Sequence, residues 1–322
     1  MTAPSPAEAP PALITIGLTC YNAAATIERA LDSALAQDWP LIEVVVVDDA
    51  SSDGSADLLA RRAAADGRIR LIRHVENQGC AAARNAILSA AKGAFIAFFD
   101  DDDVSAPQRL RRQRALILDY ERESGAALVA CHLSGQRIYA NGHVMTFQAI
   151  GSRPRVPRGE EVSDYLLSFD RRPGVFYGGG TPTASLMARA EVFSAVGGFD
   201  VGLRRQEDVD FAVRLGRLGG HFIGPAESLL TQYASEGVDK AARVEHDSFQ
   251  ALLIKHRDYL VAKGRFHYMM GWSRVRFRHF NGQDGRAALA LIGLFARYPL
   301  RTARHFALSA SRRFQHERSI RA

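Results

Sequence analysis

Four consecutive aspartates, Asp100 to Asp103, close an apolar run, Ala94-Phe95-Ile96-Ala97-Phe98-Phe99. Like charges this close raise one another's pKa, so the four cannot all stay ionised without a cation nearby. Hard divalent ions such as Mg²⁺ or Mn²⁺ take oxygen ligands of this kind, held by one or two carboxylates and the oxygens of a phosphorylated ligand. The competing reading is a solvated acidic turn, with Asp103 capping a helix that begins near Ala106-Pro107. A cap needs one aspartate rather than four. Two further acidic pairs stand out: Asp48-Asp49 after Ile42-Glu43-Val44-Val45-Val46-Val47, and Glu207-Asp208 a few residues after Gly197-Gly198-Phe199-Asp200. Cys20, Cys80 and Cys131 lack metal-ligand spacing, and their odd number argues against a disulfide framework.

The elements that must position these groups follow from periodicity. Leu13 to Leu18, Ile42 to Val47, Arg70 to His74 and Ala94 to Phe99 read as strands. Helical patterns separate them: one with Ile27, Ala30, Leu31 and Ala34 on one face, one over Ala56 to Ala65, and one over Cys80 to Ala91. Such alternation implies βαβ units and a mainly parallel sheet. In open α/β sheets ligands bind at the carboxyl ends of the strands, where the aspartates fall. A long helix is expected from about Ala106 to Ser124. Strands are expected at 128–133 and 136–139, with a hairpin signal at Asn141-Gly142. Gly151 to Arg158 reads as a basic loop and Gly178 to Thr183 as a flexible one. A strand at Ala184 to Ala188 precedes helices at Ala190 to Val196 and from Glu207 to about Leu218. A last strand is expected over Leu229 to Tyr233.

Length and composition suit a globular chain of one large α/β domain, or of one and an appendage: 322 residues, 47% hydrophobic and 24% charged. Residues 1–11, with four prolines, read as a disordered lead-in. The first residues lack the basic and apolar regions of a signal peptide, and no stretch has the length to span a bilayer. The expected setting is cytoplasmic. The net charge of +6 hides an asymmetry: Lys255 to Ala322 carries 15 Lys/Arg against 3 Asp/Glu, whereas residues 1–254 carry 26 against 32. From residue 248 onward the chain reads as helical and basic. Its apolar run Ala287 to Ala296, and Ala303, Phe306, Ala307, Ala310 and Phe314 opposite Arg301, Arg304 and Arg312, suit an anionic membrane interface. They equally suit a helical subdomain docked on the sheet and solvated through its arginines. No nucleic-acid motif is present, and no nucleic-acid partner is expected.

Taken in order, several pieces resemble the family 2 glycosyltransferases of GT-A fold. They are Thr19-Cys20-Tyr21-Asn22, Val46 to Ser55, Asn77-Gln78-Gly79 with Ala83-Arg84-Asn85, and Phe98 to Asp103. Gly197 to Asp200 with Glu207-Asp208 is similar to the acceptor half of that family. The resemblance covers residues 13–110 closely and thins beyond about 240. It implies a GT-A domain over 12–247, with a nucleotide-binding half (12–110) and an acceptor half (111–247), followed by a basic helical region over 248–322. It implies an inverting, metal-dependent enzyme. That enzyme would move a sugar from a nucleotide-diphosphate sugar, UDP favoured, to a hydroxyl of a glycan or polyprenyl-linked glycan.

By the same resemblance Thr19 and Tyr21 lie beside the base, and Asp48 accepts a hydrogen bond from it. Arg84 contacts the base or pyrophosphate. Asp100 and Asp101 meet the ribose, and Asp102 binds Mn²⁺ or Mg²⁺, with a register ambiguity of one residue. Asp208 is the base, Glu207 orients it or binds the acceptor, and Gly179 and Gly180 approach the donor sugar and acceptor. Asp210 is expected on the helix surface. His221 or His246 is a candidate to complete the metal shell. Tyr233 is followed by Ala234 where the family often has a basic residue, and Lys240 is a candidate substitute. Two rivals remain: a nucleotidyltransferase, which usually carries a glycine-rich basic loop after its first strand, and a non-catalytic module led by the basic tail.

Overall fold

The computed structural model describes residues 11–234 and 242–306. Residues 1–10 of the expected lead-in, Lys240, and Ala307, Ala310, Arg312 and Phe314 of the tail lie outside the described residues. The chain divides into two compact units. Residues 11–138, 144–166 and 171–234 form the first; 139–143, 167–170 and 242–306 belong to the second.

The first unit opens with β1 (Ile14–Cys20), α1 (Ile27–Leu35), β2 (Ile42–Asp48), α2 (Ser55–Ala65), β3 (Ile69–Arg73), α3 (Cys80–Ala90) and β4 (Phe95–Asp100). It continues with β5 (Val104–Ser105), α4 (Arg109–Ser124), β6 (Val129–Cys131), β7 (Ser134–Ile138), β8 (Val144–Phe147) and α5 (Glu160–Ser168). After a 3₁₀ turn at Thr183–Ser185 come β9 (Met187–Arg189), α6 (Ala190–Val196), α7 (Glu207–Arg217), β10 (His221–Ile223) and β11 (Ser228–Tyr233).

Seven strands form the main sheet in the order β10-β6-β9-β4-β1-β2-β3. The strands β4, β1, β2 and β3 are parallel, as the βαβ alternation requires. Strand β9 runs antiparallel between β4 and β6, so the sheet is mixed. A second sheet has the order β5-β11-β7-β8.

The core lies on both faces of the main sheet, and β2 and β4 show why their sequences are apolar without a break. Successive side chains of a strand point to opposite faces. Val44, Val46, Ala97 and Phe99 pack with Ile27, Leu31, Leu110 and Ile117. Val45, Val47, Ile96 and Phe98 pack on the other side with Ile87, Phe193, Phe211 and Leu215. Buried on both faces, such strands read as continuous apolar runs. Helix α1 buries Ile27, Ala30, Leu31 and Ala34, the spacing of one helical face.

Several elements differ from expectation. The long helix starts at Arg109, because Val104 and Ser105 form a short strand against β11. Residues 183–185 are a 3₁₀ turn, and the strand begins only at Met187. Helix α5 and the short strand β10 were not foreseen; a three-residue strand leaves no period to read.

The second unit contains α8 (Ala242–Lys255), α9 (Arg257–Ala262), α10 (Phe266–Phe280) and α11 (Asp284–Arg297), and residues 299–306 are helical. Its interior holds Leu252, Leu253, Leu260, Met269 and Trp272, with the His305 ring stacked 4.0 Å from that of Trp272. Among the described residues no helix is long and apolar enough to cross a membrane.

The second sheet depends on one close approach. A Cβ at Gly135 of β7 would lie 2.2 Å from the Leu230 carbonyl oxygen of β11. That neighbour is backbone and has little freedom to yield. Gly135→Ala should therefore cost about 2–3 kcal/mol as the strands are pushed apart. Urea unfolding of the purified variant checks it, and an unchanged midpoint would refute the close contact.

Candidate active site

The carboxyl ends of three adjacent parallel strands meet in register. Cys20 of β1 lies opposite Asp48 of β2, and Thr19 lies opposite Val47 on one side and Asp100 of β4 on the other. The loops that follow β1 and β2 are laced together. The Asn22 N–H donates to Ser51 Oγ at 2.9 Å, and Asn22 Oδ1 accepts the Ser52 N–H at 2.8 Å. The Ala24 N–H donates to Asp53 at 2.8 Å. Asp49 orders the neighbouring turn: its carboxylate accepts the N–H groups of Gln78 and Gly79 and lies 2.6 Å from His74 Nδ1.

Asp48 is different. Its side chain is fully buried, and its Oδ1 has no hydrogen-bond partner among the described residues. Buried acceptors are rarely left so, and each one asks for a donor from elsewhere. Tyr21 beside it is half exposed, and its N–H donates to Asp101 Oδ2 at 3.1 Å.

The aspartate run turns its members to different tasks. Asp101 faces β1 through Tyr21. Asp103 accepts from Gln232 Nε2 at 2.9 Å and from the Tyr233 N–H at 3.4 Å, which fastens the end of β11 to the run. Asp103 is therefore not a helix cap; the residue before α4 is Gln108. Arg29, stacked 3.9 Å from the Tyr233 ring centroid, donates to the Asp102 carbonyl at 2.9 Å.

One carboxylate oxygen each from Asp100, Asp102 and Asp103 lies within 4.8 Å of the other two. Burial pushes Asp101 and Asp103 up to about 7 and raises Asp100 as well, against the pull of Arg84. Burial, with repulsion among the neighbouring aspartates, thus makes the ionised run costly without a cation. Three converging carboxylate oxygens that are costly to ionise unaided fit a hard divalent cation.

Beneath the run lies Arg109, which has no exposed surface. Its guanidinium donates to the Phe98 carbonyl (2.7 Å), Ser105 Oγ (2.8 Å) and Gln113 Oε1 (3.0 Å), and it stacks 3.9 Å from the Phe99 ring. Burial draws its pKa down to about 9, opposed by Asp103 and Asp100. The sequence reading missed it.

Across from the run, Arg84 of α3 forms a buried ion pair with Glu207, the first residue of α7, and lies 3.8 Å from Asp100 Oδ1. It is thus neither an ordinary surface pair nor a cation turned to solvent. The pair brings the second acidic centre beside the first. Asp208, half-buried, accepts the Val209 N–H at 2.8 Å, and its pKa is pushed up to about 6 by burial and then by Glu207.

Asp210 is not on the surface as expected. It is fully buried and paired at 2.8 Å with Arg214, whose guanidinium also holds the Val196 and Gly198 carbonyls.

Gly179 and Gly180 sit in a loop whose N–H groups donate to the Gln148 and Tyr177 carbonyls. The two histidines do not join the carboxylates. His221 Nδ1 lies 2.7 Å from the Tyr120 hydroxyl, and His246 Nδ1 lies 2.9 Å from Ser273 Oγ within the second unit. Among the described residues the cation-capable group is Asp100, Asp102 and Asp103.

Comparison with known proteins bears on the family and the fold. Residues 15–165 match the family described as Glycosyl transferase family 2. The succinoglycan biosynthesis protein ExoO of Rhizobium meliloti is 48% identical over 108 residues, which is 32% of this chain and 30% of the relative. WfaP of Escherichia coli is named a UDP-Glc:alpha-D-GlcNAc-diphosphoundecaprenol beta-1,3-glucosyltransferase. It is 37% identical over 101 residues, 31% of this chain and 39% of the relative. The aligned stretch thus spans less than half the length of either relative. Among solved structures, the mannosyltransferase PcManGT of Pyrobaculum calidifontis, in complex with GDP-Man and Mn²⁺, superposes with a TM-score of 0.57 at 21% identity. That match covers 96% of this chain and 82% of the other, and it speaks for the fold. The chain carries a family 2 glycosyltransferase domain of GT-A fold.

Arg109→Met would take a donor from three buried acceptors and leave the aspartate run without the cation beneath it. It should lower the unfolding free energy by about 3 kcal/mol or more. A urea titration against the unsubstituted protein reads it, and a loss below about 1 kcal/mol would mean that the guanidinium is dispensable.

Proposed function

We propose that this protein is an inverting glycosyltransferase. In this reading it moves a sugar from a nucleotide-diphosphate sugar to a hydroxyl of a lipid-linked glycan. One observation carries the reading. Three separate acidic elements converge at the strand ends: the buried Asp48 with its unpartnered Oδ1, the Asp100–Asp102–Asp103 group, and Asp208, joined to that group through Arg84 and Glu207. A base, a diphosphate with its cation, and a reacting hydroxyl need three such positions.

Asp48 Oδ1 is suited to accept the N3–H of uracil. Thr19 and Tyr21 flank that place, and Asp100 and Asp101 face the ribose. UDP is favoured; guanine also offers an N–H edge, and the names of WfaP and PcManGT carry UDP-Glc and GDP-Man respectively. A divalent ion, Mn²⁺ or Mg²⁺, held by Asp102 with help from Asp100 and Asp103, would neutralise the departing diphosphate.

Asp208 takes the proton of the acceptor hydroxyl. The hydroxyl oxygen then attacks the anomeric carbon from the face opposite the diphosphate, and the configuration inverts. The transition state shares the oxocarbenium character of glycoside hydrolysis. A carboxylate with its pKa raised towards neutrality is a stronger base than an exposed one, yet it is still ionised at pH 7. Glu207, held by Arg84, fixes the start of α7 and so the direction of Asp208. Gly179 and Gly180 offer bare backbone to the sugar and acceptor.

A lipid-linked acceptor is supported by the name of WfaP, which carries a diphosphoundecaprenol, and polysaccharide synthesis by that of ExoO. It would place the enzyme at the cytoplasmic face of the membrane. No feature of the Thr19-Cys20-Tyr21-Asn22 turn supports nucleotidyl transfer, which usually uses a basic glycine-rich loop there.

Thermal stabilisation by UDP, GDP, CDP and TDP, each with and without Mn²⁺, tests the donor site. One nucleotide should stabilise the protein in a metal-dependent way, and Asp102→Asn should lose the metal-dependent part. Stabilisation by none of the four would remove the basis for the reading.

The base is tested separately. Asp208→Asn should cut turnover by about 10²-fold or more while nucleotide stabilisation persists. Transfer by the unsubstituted enzyme should fall as pH drops through about 6, because the base is lost by protonation below its raised pKa. A flat rate from pH 7.5 to 5, both values being about one unit or more from that midpoint, would refute Asp208 as base.

A further inference from the structure

The second unit carries a surface that the transferase reading does not use. Helix α11 packs inward through Ala287 and Leu294. Its outer face is apolar: Leu289 is 71% exposed, Ile292 65% and Phe295 49%. At about 100° per residue these three fall within one side of the helix, and Ala288 and Ala296 lie among them. Leu300 and Phe306 follow on the next helical stretch, also exposed. In the first unit the large exposed apolar side chains occur apart, as Leu41, Val75, Val201 and Leu218 do, and isolated ones need no explanation. Three on one face of one helix do.

The charge around this face is one-sided. Between residues 259 and 306 the sequence has nine Lys or Arg and one acidic residue, Asp284. Asp284 is engaged with His279 at 2.9 Å. Arg286 and Arg297 are both exposed and share one flank of α11, between its apolar and its buried sides. An apolar face flanked by arginines is the pattern of a helix that lies in the plane of a membrane interface.

We propose that the outer face of α11 docks on an anionic lipid bilayer, with Leu289, Ile292 and Phe295 entering the headgroup boundary and Arg286 and Arg297 meeting lipid phosphates. The alternatives fit less well. A second copy meeting this face about a two-fold axis would bring the same basic rim against itself. Nucleic acid would satisfy the arginines but leaves the apolar side chains without use. The inference stands on the second unit alone and does not need the transferase reading, although a lipid-linked acceptor would give such docking a purpose.

The test uses the full chain. Flotation is measured with vesicles of phosphatidylcholine alone and of phosphatidylcholine mixed in equal parts with phosphatidylglycerol, at low and at raised salt. The protein should float with the anionic vesicles, less so at raised salt, and poorly with the neutral ones. Leu289→Glu with Ile292→Glu should reduce binding at least about tenfold. Arg286→Glu with Arg297→Glu should reduce it by a similar factor and weaken its salt dependence. All four side chains are exposed, so circular dichroism and nucleotide stabilisation should be unchanged, which separates this test from that of the transferase.

Failure of the unsubstituted chain to bind anionic vesicles overturns the proposal, as does full binding by the Leu289→Glu, Ile292→Glu variant. Concentration-dependent dimers that this variant abolishes, in a chain that ignores vesicles, would assign the face to self-association instead.

Discussion

The structure of the site rests on a buried guanidinium. Arg109 is sealed under the aspartate run, and taking such a group out of water costs several kcal/mol unless hydrogen bonds and nearby charge offset it. Its three acceptors come from three places: the Phe98 carbonyl near the end of β4, the Ser105 hydroxyl on β5, and Gln113 one turn along α4. Gln113 extends the network, since its amide donates to the Cys131 carbonyl of β6 and the Ser185 carbonyl of the 3₁₀ turn. The strand that carries the aspartates, the strand after them and the helix beyond are thereby fixed to one planar group. The guanidinium also places a positive charge in low dielectric below carboxylates that repel one another. Without it, close packing of Asp100, Asp101 and Asp103 would cost more than their raised pKa values already indicate.

A second ion pair does for the other half of the site what Arg109 does for the first. Arg84 comes from α3 and Glu207 from α7, elements 123 residues apart in sequence. Their contact, with Asp100 at 3.8 Å from the same guanidinium, sets the start of α7 against the strand ends. Buried ion pairs are weak evidence for net stability, because desolvation can exceed the Coulomb gain. Geometry is the better account of this one: breaking the pair would leave Glu207 buried and unopposed beside Asp208, whose pKa Glu207 already raises. Arg214 fixes the same helix from behind, through Asp210 and the carbonyls of Val196 and Gly198.

What the sequence revealed and what it hid divide along a physical line. Strand ends were legible because two-sided burial writes an unbroken apolar run, and the aspartates simply follow it. Asp48, Asp49 and Asp100 to Asp103 were therefore placed correctly at the strand ends. Contacts that depend on distant partners were not legible. Arg109 stands in a stretch with Arg111, Arg112 and Arg114, which at about 100° per residue are spread around a helix, so the string alone does not tell buried from solvated. Only the phase of a helix that starts at residue 109 rather than 106 shows that Arg109 and Arg114 turn inward, and only the position of the Phe98 carbonyl shows what Arg109 meets there. Asp210 looked like an ordinary first-turn acid because its burial depends on the packing of α6 and α7. Asp103 looked like a helix cap because its true partner, Gln232, lies 129 positions later.

The placement of the arginines also explains why a site so acidic would need a diffusible cation. Residues 1–254 carry a net charge of −6, and a nucleotide diphosphate is itself an anion. Carboxylates at strand ends would repel such a donor unless positive charge met it there. The two arginines nearest the run cannot both do so. Arg109 lies wholly inside, with its donors on protein oxygens, and Arg84 is held by Glu207. Arg29, which also reaches the run, grips the carbonyl of Asp102 while stacked on Tyr233. These three arginines are thus committed to holding the acidic groups in place. A cation that arrives with the substrate can neutralise the diphosphate as it departs and leave with it, whereas a fixed arginine would retain the product anion. On the proposed chemistry, acidic residues held from beneath by buried arginine and open to a divalent ion from above are a means of binding the donor and releasing the nucleotide at one site.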